Sequence, residues 1–253
     1  MLSQKPWRSE WVLMFFGAMF ASFCFASIGA LLLRHAHVAG FINPDDFGFV
    51  VLGTLGIQGV AWIFGFIFLR LHKVGLCDAL GLRNPNWKKS LLLVPVALIV
   101  ASVMAFPLQQ ISIALLTKLG VQVENQEAVK MFLAMNAPGA KIYFAVFTII
   151  IAPVAEEFVF RGMLFPFIKQ NGWPKLAWFG VSFLFALVHH DAATFASLFA
   201  LALVFTWLYE KTDCLLAPMF AHSLFNTINL LMLHFESQLN QLLQRFSHFI
   251  HQP

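Results

Sequence analysis

Between Trp11 and Leu33 the chain carries no charged side chain, and apolar runs of comparable length recur along most of the sequence. A spanning helix needs roughly 20 predominantly apolar residues, so this stretch already makes lipid the solvent for much of the chain. Composition agrees. Of 253 residues, 60% are hydrophobic and 11% charged, and the mean hydropathy is +0.78; a soluble globular domain has about 45–50% and about 25%. Too few polar groups exist to cover the apolar surface. The expected fold class is therefore all-α, a polytopic transmembrane helix bundle of about seven to eight spans with no room for a sizeable soluble domain.

Taken in order, residues 1–10 are polar and precede a first span at 11–33. That run is too long for a signal-peptide core and no A-x-A site follows it, so it reads as retained. Asn43-Pro44-Asp45 marks a loop. Spans follow at 47–69, Gly-rich and suited to close packing; at 91–117, with Pro95 and Pro107 as kink points; and at 142–168, bent by Pro153. Shorter ones follow at 174–190, 195–209 and 215–233. Residues 234–253 are expected to form an interfacial helix or an eighth short span. The division is thus 1–141, three spans and their loops; 142–233, the membrane core that holds the polar motifs described below; and 234–253.

The formal charge of +4 could suggest an acidic partner, but no basic run is long enough for nucleic acid. The basic residues flank the spans instead. With the N-terminus inside, the inner set is Lys5, Arg8, Arg70, Lys73, Arg83, Lys88, Lys89, Lys169, Lys175 and Lys211. The outer set is Arg34, Lys118, Lys130, Lys141 and Arg245. This asymmetry favours a cytoplasmic N-terminus in what reads as a bacterial inner membrane. Cys24, Cys77 and Cys214 lack metal-site or disulfide-framework spacing.

Glu156 and Glu157 are the acidic residues that fall inside a predicted span, where ionisable groups are costly and point to function. Adjacent helical residues face about 100° apart, so the two carboxylates cannot share one role. Glu157 and Arg161 are four apart, the spacing at which helix side chains meet; that pairing leaves Glu156 to face a cavity. His189 follows Phe185 by one turn, and His222 and Asn226 share a face of the last span. Singly, each has a bland reading: a structural ion pair, an interfacial histidine, an interhelical hydrogen bond. Together they make one buried polar site. A carboxylate and an imidazole can deprotonate a shared water, and a second imidazole and an amide can stabilise an oxyanion. Glu156, His189 and His222 are also chemically reasonable zinc ligands, so a glutamate-type and a metal mechanism both stay open. No G-x-S-x-G or H-E-x-x-H occurs.

In this order, Glu156-Glu157-x-x-x-Arg161, Phe185-x-x-x-His189 and His222-x-x-x-Asn226 resemble the CPBP family of intramembrane proteases, the CAAX prenyl endopeptidase and bacteriocin-processing type. The likeness covers residues 142–233. It implies peptide-bond hydrolysis on a membrane-associated, in some members lipidated, peptide or protein. Carried over by position, Glu156 and His189 activate water, His222 and Asn226 stabilise the oxyanion, and Glu157 and Arg161 support the site. The family has been described both as glutamate-type and as metalloproteases. The rival readings are a non-catalytic immunity or scaffold protein binding peptide in the same cavity, and a proton-coupled transporter, which the absence of an internal repeat disfavours.

Overall fold

The computed structural model describes residues 2–38, 47–83, 87–124, 126–135 and 137–250, with 237–250 as backbone alone. The loop signal at Asn43-Pro44-Asp45 lies outside the described residues. Seven long helical segments carry the fold: α1 (Ser9–His35), α2 (residues 47–71), α3 (Trp87–Lys118), α4 (Pro138–Gln170), α5 (Pro174–Leu187), α6 (Ala192–Thr212) and α7 (Leu216–Ile250). No strand occurs among the described residues. Five helices are long and apolar enough to cross a membrane, and two shorter apolar ones, Val60–Leu71 within α2 and α5, accompany them. The all-α membrane bundle is thus the observed fold.

Its boundaries differ from expectation where polar residues act as caps. Helix α6 begins three residues early because the Asp191 carboxylate accepts a hydrogen bond from the Ala193 amide, a standard N-cap. It ends at Asp213, whose φ of 47° breaks the helix. Helix α7 runs unbroken to Ile250, so residues 234–250 continue the helix that carries the apolar stretch Leu216–Glu236.

Helix α6 is the centre. It packs against α3, α5 and α7, and Leu201, Val204, Phe205 and Leu208 lie on Val94, Ala97, Ala101, Ala217 and Ala221. Alanines four apart on α3 let two backbones approach, as small residues do in lipid. The first two helices pack on α4: Val12 and Phe15 of α1 and Ala61 and Phe68 of α2 meet Ala155, Val159 and Met163. On its other face α1 shows Phe20, Phe25 and Leu31, the pattern expected against acyl chains.

One connection is fixed by backbone fit. Gly81, after the short helix Leu76–Ala79, has φ +76°, and a Cβ there would meet Asp213 O at 2.6 Å and Cys214 Cα at 2.8 Å. The Leu215 amide donates to Leu80 O at 3.1 Å beside it. Gly120 has φ +75° with nothing within 4 Å. Gly81→Ala therefore incurs a steric clash on top of about 1 kcal/mol of left-handed strain, whereas Gly120→Ala incurs the strain alone. Thermal unfolding in detergent should rank them wild type, Gly120→Ala, Gly81→Ala.

Candidate active site

The site is built on α4, which two prolines distort. Proline lacks an N–H, and in a membrane each freed carbonyl needs another donor. Before Pro153 the helix widens into a π-turn over Phe147–Ile151, in which the Ala152 amide reaches back five residues to Phe147 O. The next carbonyl, Thr148, is left without a donor: Ala152 is already used and Pro153 has none. The Asn226 amide of α7 fills the gap, donating to Thr148 O at 2.9 Å. A second π-turn spans Phe158–Leu164, where the Phe165 amide reaches Phe160 O. Pro166 has no amide to give the Gly162 carbonyl four residues back, and the Trp7 indole N–H donates to that carbonyl at 2.9 Å. Glu156 and Glu157 stand between these turns.

Glu157 and Arg161 are fully buried and joined, Nη1 donating to Oε1 at 2.9 Å. Arg161 Nη2 donates to Ala202 O at 3.0 Å. The guanidinium lies 4.6 Å from the Phe185 ring centroid and 5.8 Å from that of Phe205, a cation–π sandwich that helps offset its desolvation. The same Glu157 Oε1 lies 2.9 Å from His222 Nδ1. A carboxylate only accepts, so Nδ1 carries the proton and the ring is held as a triad carboxylate holds its histidine. His222 Nε2 then faces Glu156 Oε2 at 3.9 Å. Glu156 is the acid of this group with access to solvent, its side chain 24% exposed.

His189 stands apart. Its Nδ1 lies 2.7 Å from Phe185 O; a carbonyl only accepts, so Nδ1 carries the proton and Nε2 is the lone-pair nitrogen. The Phe185 ring packs against His189, His222 and Phe160, with centroids 5.0, 5.7 and 5.3 Å away. Among the described residues no polar contact joins Glu156 to His189, and no three His, Cys, Asp or Glu side chains converge as a metal cage requires. The set Glu156, His189 and His222, expected above as zinc ligands, is not gathered into one.

The spacing argument holds for Glu157 with Arg161. Sequence reasoning did not find the Glu157–His222 contact, the Thr148 carbonyl under Asn226, or Phe205 and Ala202 around Arg161. Nor did it find Trp7. The two prolines were the available signal for the carbonyls; nothing local marks the others.

Comparison with known proteins bears on the same region. Residues 138–228 match the family model described as type II CAAX prenyl endopeptidase Rce1-like. The UPF0177 protein YaiF of Lactococcus lactis subsp. lactis (strain IL1403) is 26% identical over 174 residues, covering 64% of this chain and 77% of that protein. YdiL of Bacillus subtilis (strain 168), provisionally named a membrane peptidase, is 30% identical over 83 residues, or 33% of this chain and 34% of YdiL. No solved structure matches.

Removing one partner of a buried ion pair costs about 3–5 kcal/mol, whereas replacing both with apolar groups can be neutral. Glu157→Ala should therefore sharply reduce the protein that accumulates in membranes, and Glu157→Leu with Arg161→Met should restore accumulation but not activity. Quantitative blotting of membrane fractions reads the first effect.

Proposed function

We propose, for a chain whose residues 138–228 match the model of the Rce1-like type II CAAX prenyl endopeptidases, that it is an intramembrane endopeptidase of glutamate type. The observation that carries this is the chain of contacts Arg161–Glu157–His222, ending on the half-exposed Glu156. The reading uses both ring nitrogens of His222 as donors. That ring then donates Nδ1–H to Glu157 and turns Nε2–H toward the space beside Glu156.

In this mechanism Glu156 takes a proton from water as the water oxygen attacks the scissile carbonyl. The developing oxyanion accepts from His222 Nε2–H and from the second amide hydrogen of Asn226, the first being held by Thr148 O. Glu156 passes its proton to the departing amine as the C–N bond breaks. His189, whose Nδ1–H is held by Phe185 O, offers its Nε2 lone pair to the same water. Glu157 and Arg161 hold His222 and do not touch substrate.

The substrate we assign is a membrane-associated peptide or protein, with a prenylated C-terminus as the form to test first. The Lys and Arg asymmetry supports a cytoplasmic N-terminus, and we place the protein in a bacterial inner membrane.

The test is cleavage of S-farnesylated and unmodified peptides ending in Cys-aliphatic-aliphatic-X by purified protein in lipid nanodiscs. Peptide termini in membranes are compared in parallel between wild type and Glu156→Gln at equal abundance. Glu156→Gln should lower cleavage at least about a hundredfold, the usual scale for a general base. Cleavage and termini unchanged by Glu156→Gln would overturn the reading.

A further inference from the structure

We infer that Trp7, far from the polar motifs in sequence, is a positioning residue for the Glu157–Arg161 pair. The inference rests on the proposed proteolysis for its kinetic readout alone.

Residues 2–8 form a strap across one end of the bundle. The Ser3 amide and hydroxyl donate to Asp213 at 3.1 and 3.0 Å, and Lys5 pairs with the same carboxylate at 3.3 Å. Gln170, the last residue of α4, exchanges hydrogen bonds with Lys5 N and Ser3 O at 3.3 Å each. The Arg8 amide donates to His72 Nε2 at 3.0 Å. Trp7 lies between, its ring 5.0 Å from Phe68 and 5.3 Å from His72.

These contacts aim one N–H at one carbonyl. Gly162 is buried and directly follows Arg161, and its carbonyl has no helical donor four residues on because Pro166 stands there. In the π-turn the Phe165 amide goes to Phe160 O; in an α-turn it would go to Arg161 O. The two patterns rotate Arg161 differently about the helix. The Trp7 N–H fixes the Gly162 carbonyl in the π arrangement, in which the guanidinium meets both Glu157 Oε1 and Ala202 O. Without that donor the Gly162 carbonyl loses its 2.9 Å partner on the strap, and the turn that carries Arg161, and through Glu157 the His222 ring, is held less firmly.

Trp7→Phe keeps the ring and deletes the donor. In full-length protein with the farnesylated peptide, it should lower kcat about tenfold with KM unchanged, the scale of one hydrogen bond. Trp7→His, which returns an N–H, should recover part of the loss, and Lys5→Ala, which loosens the strap without touching the donor, should behave as wild type. A cycle independent of substrate compares the Trp7→Phe loss of thermal stability in wild type and in the Glu157→Leu, Arg161→Met background. Coupled effects support positioning and additive ones overturn it. An unchanged kcat while Glu156→Gln abolishes cleavage also overturns it, as does a loss that Lys5→Ala reproduces. If wild type leaves the peptide intact while the cycle shows coupling, the proposed activity on that peptide fails and the positioning role stands.

Discussion

A guanidinium and a carboxylate, both without solvent exposure inside a membrane bundle, set the terms for everything around them. Taking two such ions out of water costs several kcal/mol each, and mutual attraction alone does not return it. The surrounding fold supplies part of what is missing, while Glu157 Oε2 and Arg161 Nε have no hydrogen-bond partner among the described residues. Ala202 of α6 offers a carbonyl, Phe185 of α5 and Phe205 of α6 offer ring faces, and His222 of α7 offers an N–H. Four helices thus converge on one pair of charges, so the packing of the bundle and the orientation of His222 are one problem with one solution.

The second constraint is the backbone of α4. A straight α-helix would satisfy its own carbonyls and need nothing from outside. The prolines at 153 and 166 remove that independence at two places flanking the glutamates, and the π-turns expose carbonyls that α7 and the N-terminal strap must serve. A similar device occurs in α2, where the π-turn Leu55–Gly59 presents Gly56 O to the Ser22 hydroxyl of α1 at 2.7 Å. Each irregular turn is held by a side chain remote in sequence, which makes the geometry of the site a property of the assembled bundle.

This explains how far the sequence could be read. Lipid as solvent, helices as elements, and Glu157 with Arg161 were legible because each depends on runs or on spacing within one helix. The ends of α6 were misjudged because Glu210, Lys211 and Thr212 look like loop residues; in the fold Glu210 pairs with Lys169 and accepts from the Trp178 indole. The Glu157–His222 contact joins positions 65 apart, and no local pattern announces it. The same four-residue spacing that paired Asn226 with His222 on one face concealed that Asn226 is also tied to α4. Glu156, His189 and His222 are not gathered into one cluster among the described residues, and Phe185, read as a motif letter, packs against both imidazoles.

Helix α5 has 14 residues, about 21 Å of rise, against a hydrocarbon core of about 30 Å. It ends in His189 and in His190, whose φ of 53° turns the chain away, with both side chains exposed. A helix that stops short leaves its polar terminus below the level of the surrounding headgroups. Acyl chains cannot solvate that terminus, so either the leaflet thins around it or water descends to it. A short helix of this kind makes a dip in the bilayer surface, and for the hydrolysis proposed above that dip is a route for water. Bilayer thickness becomes, by this route, a variable in the chemistry.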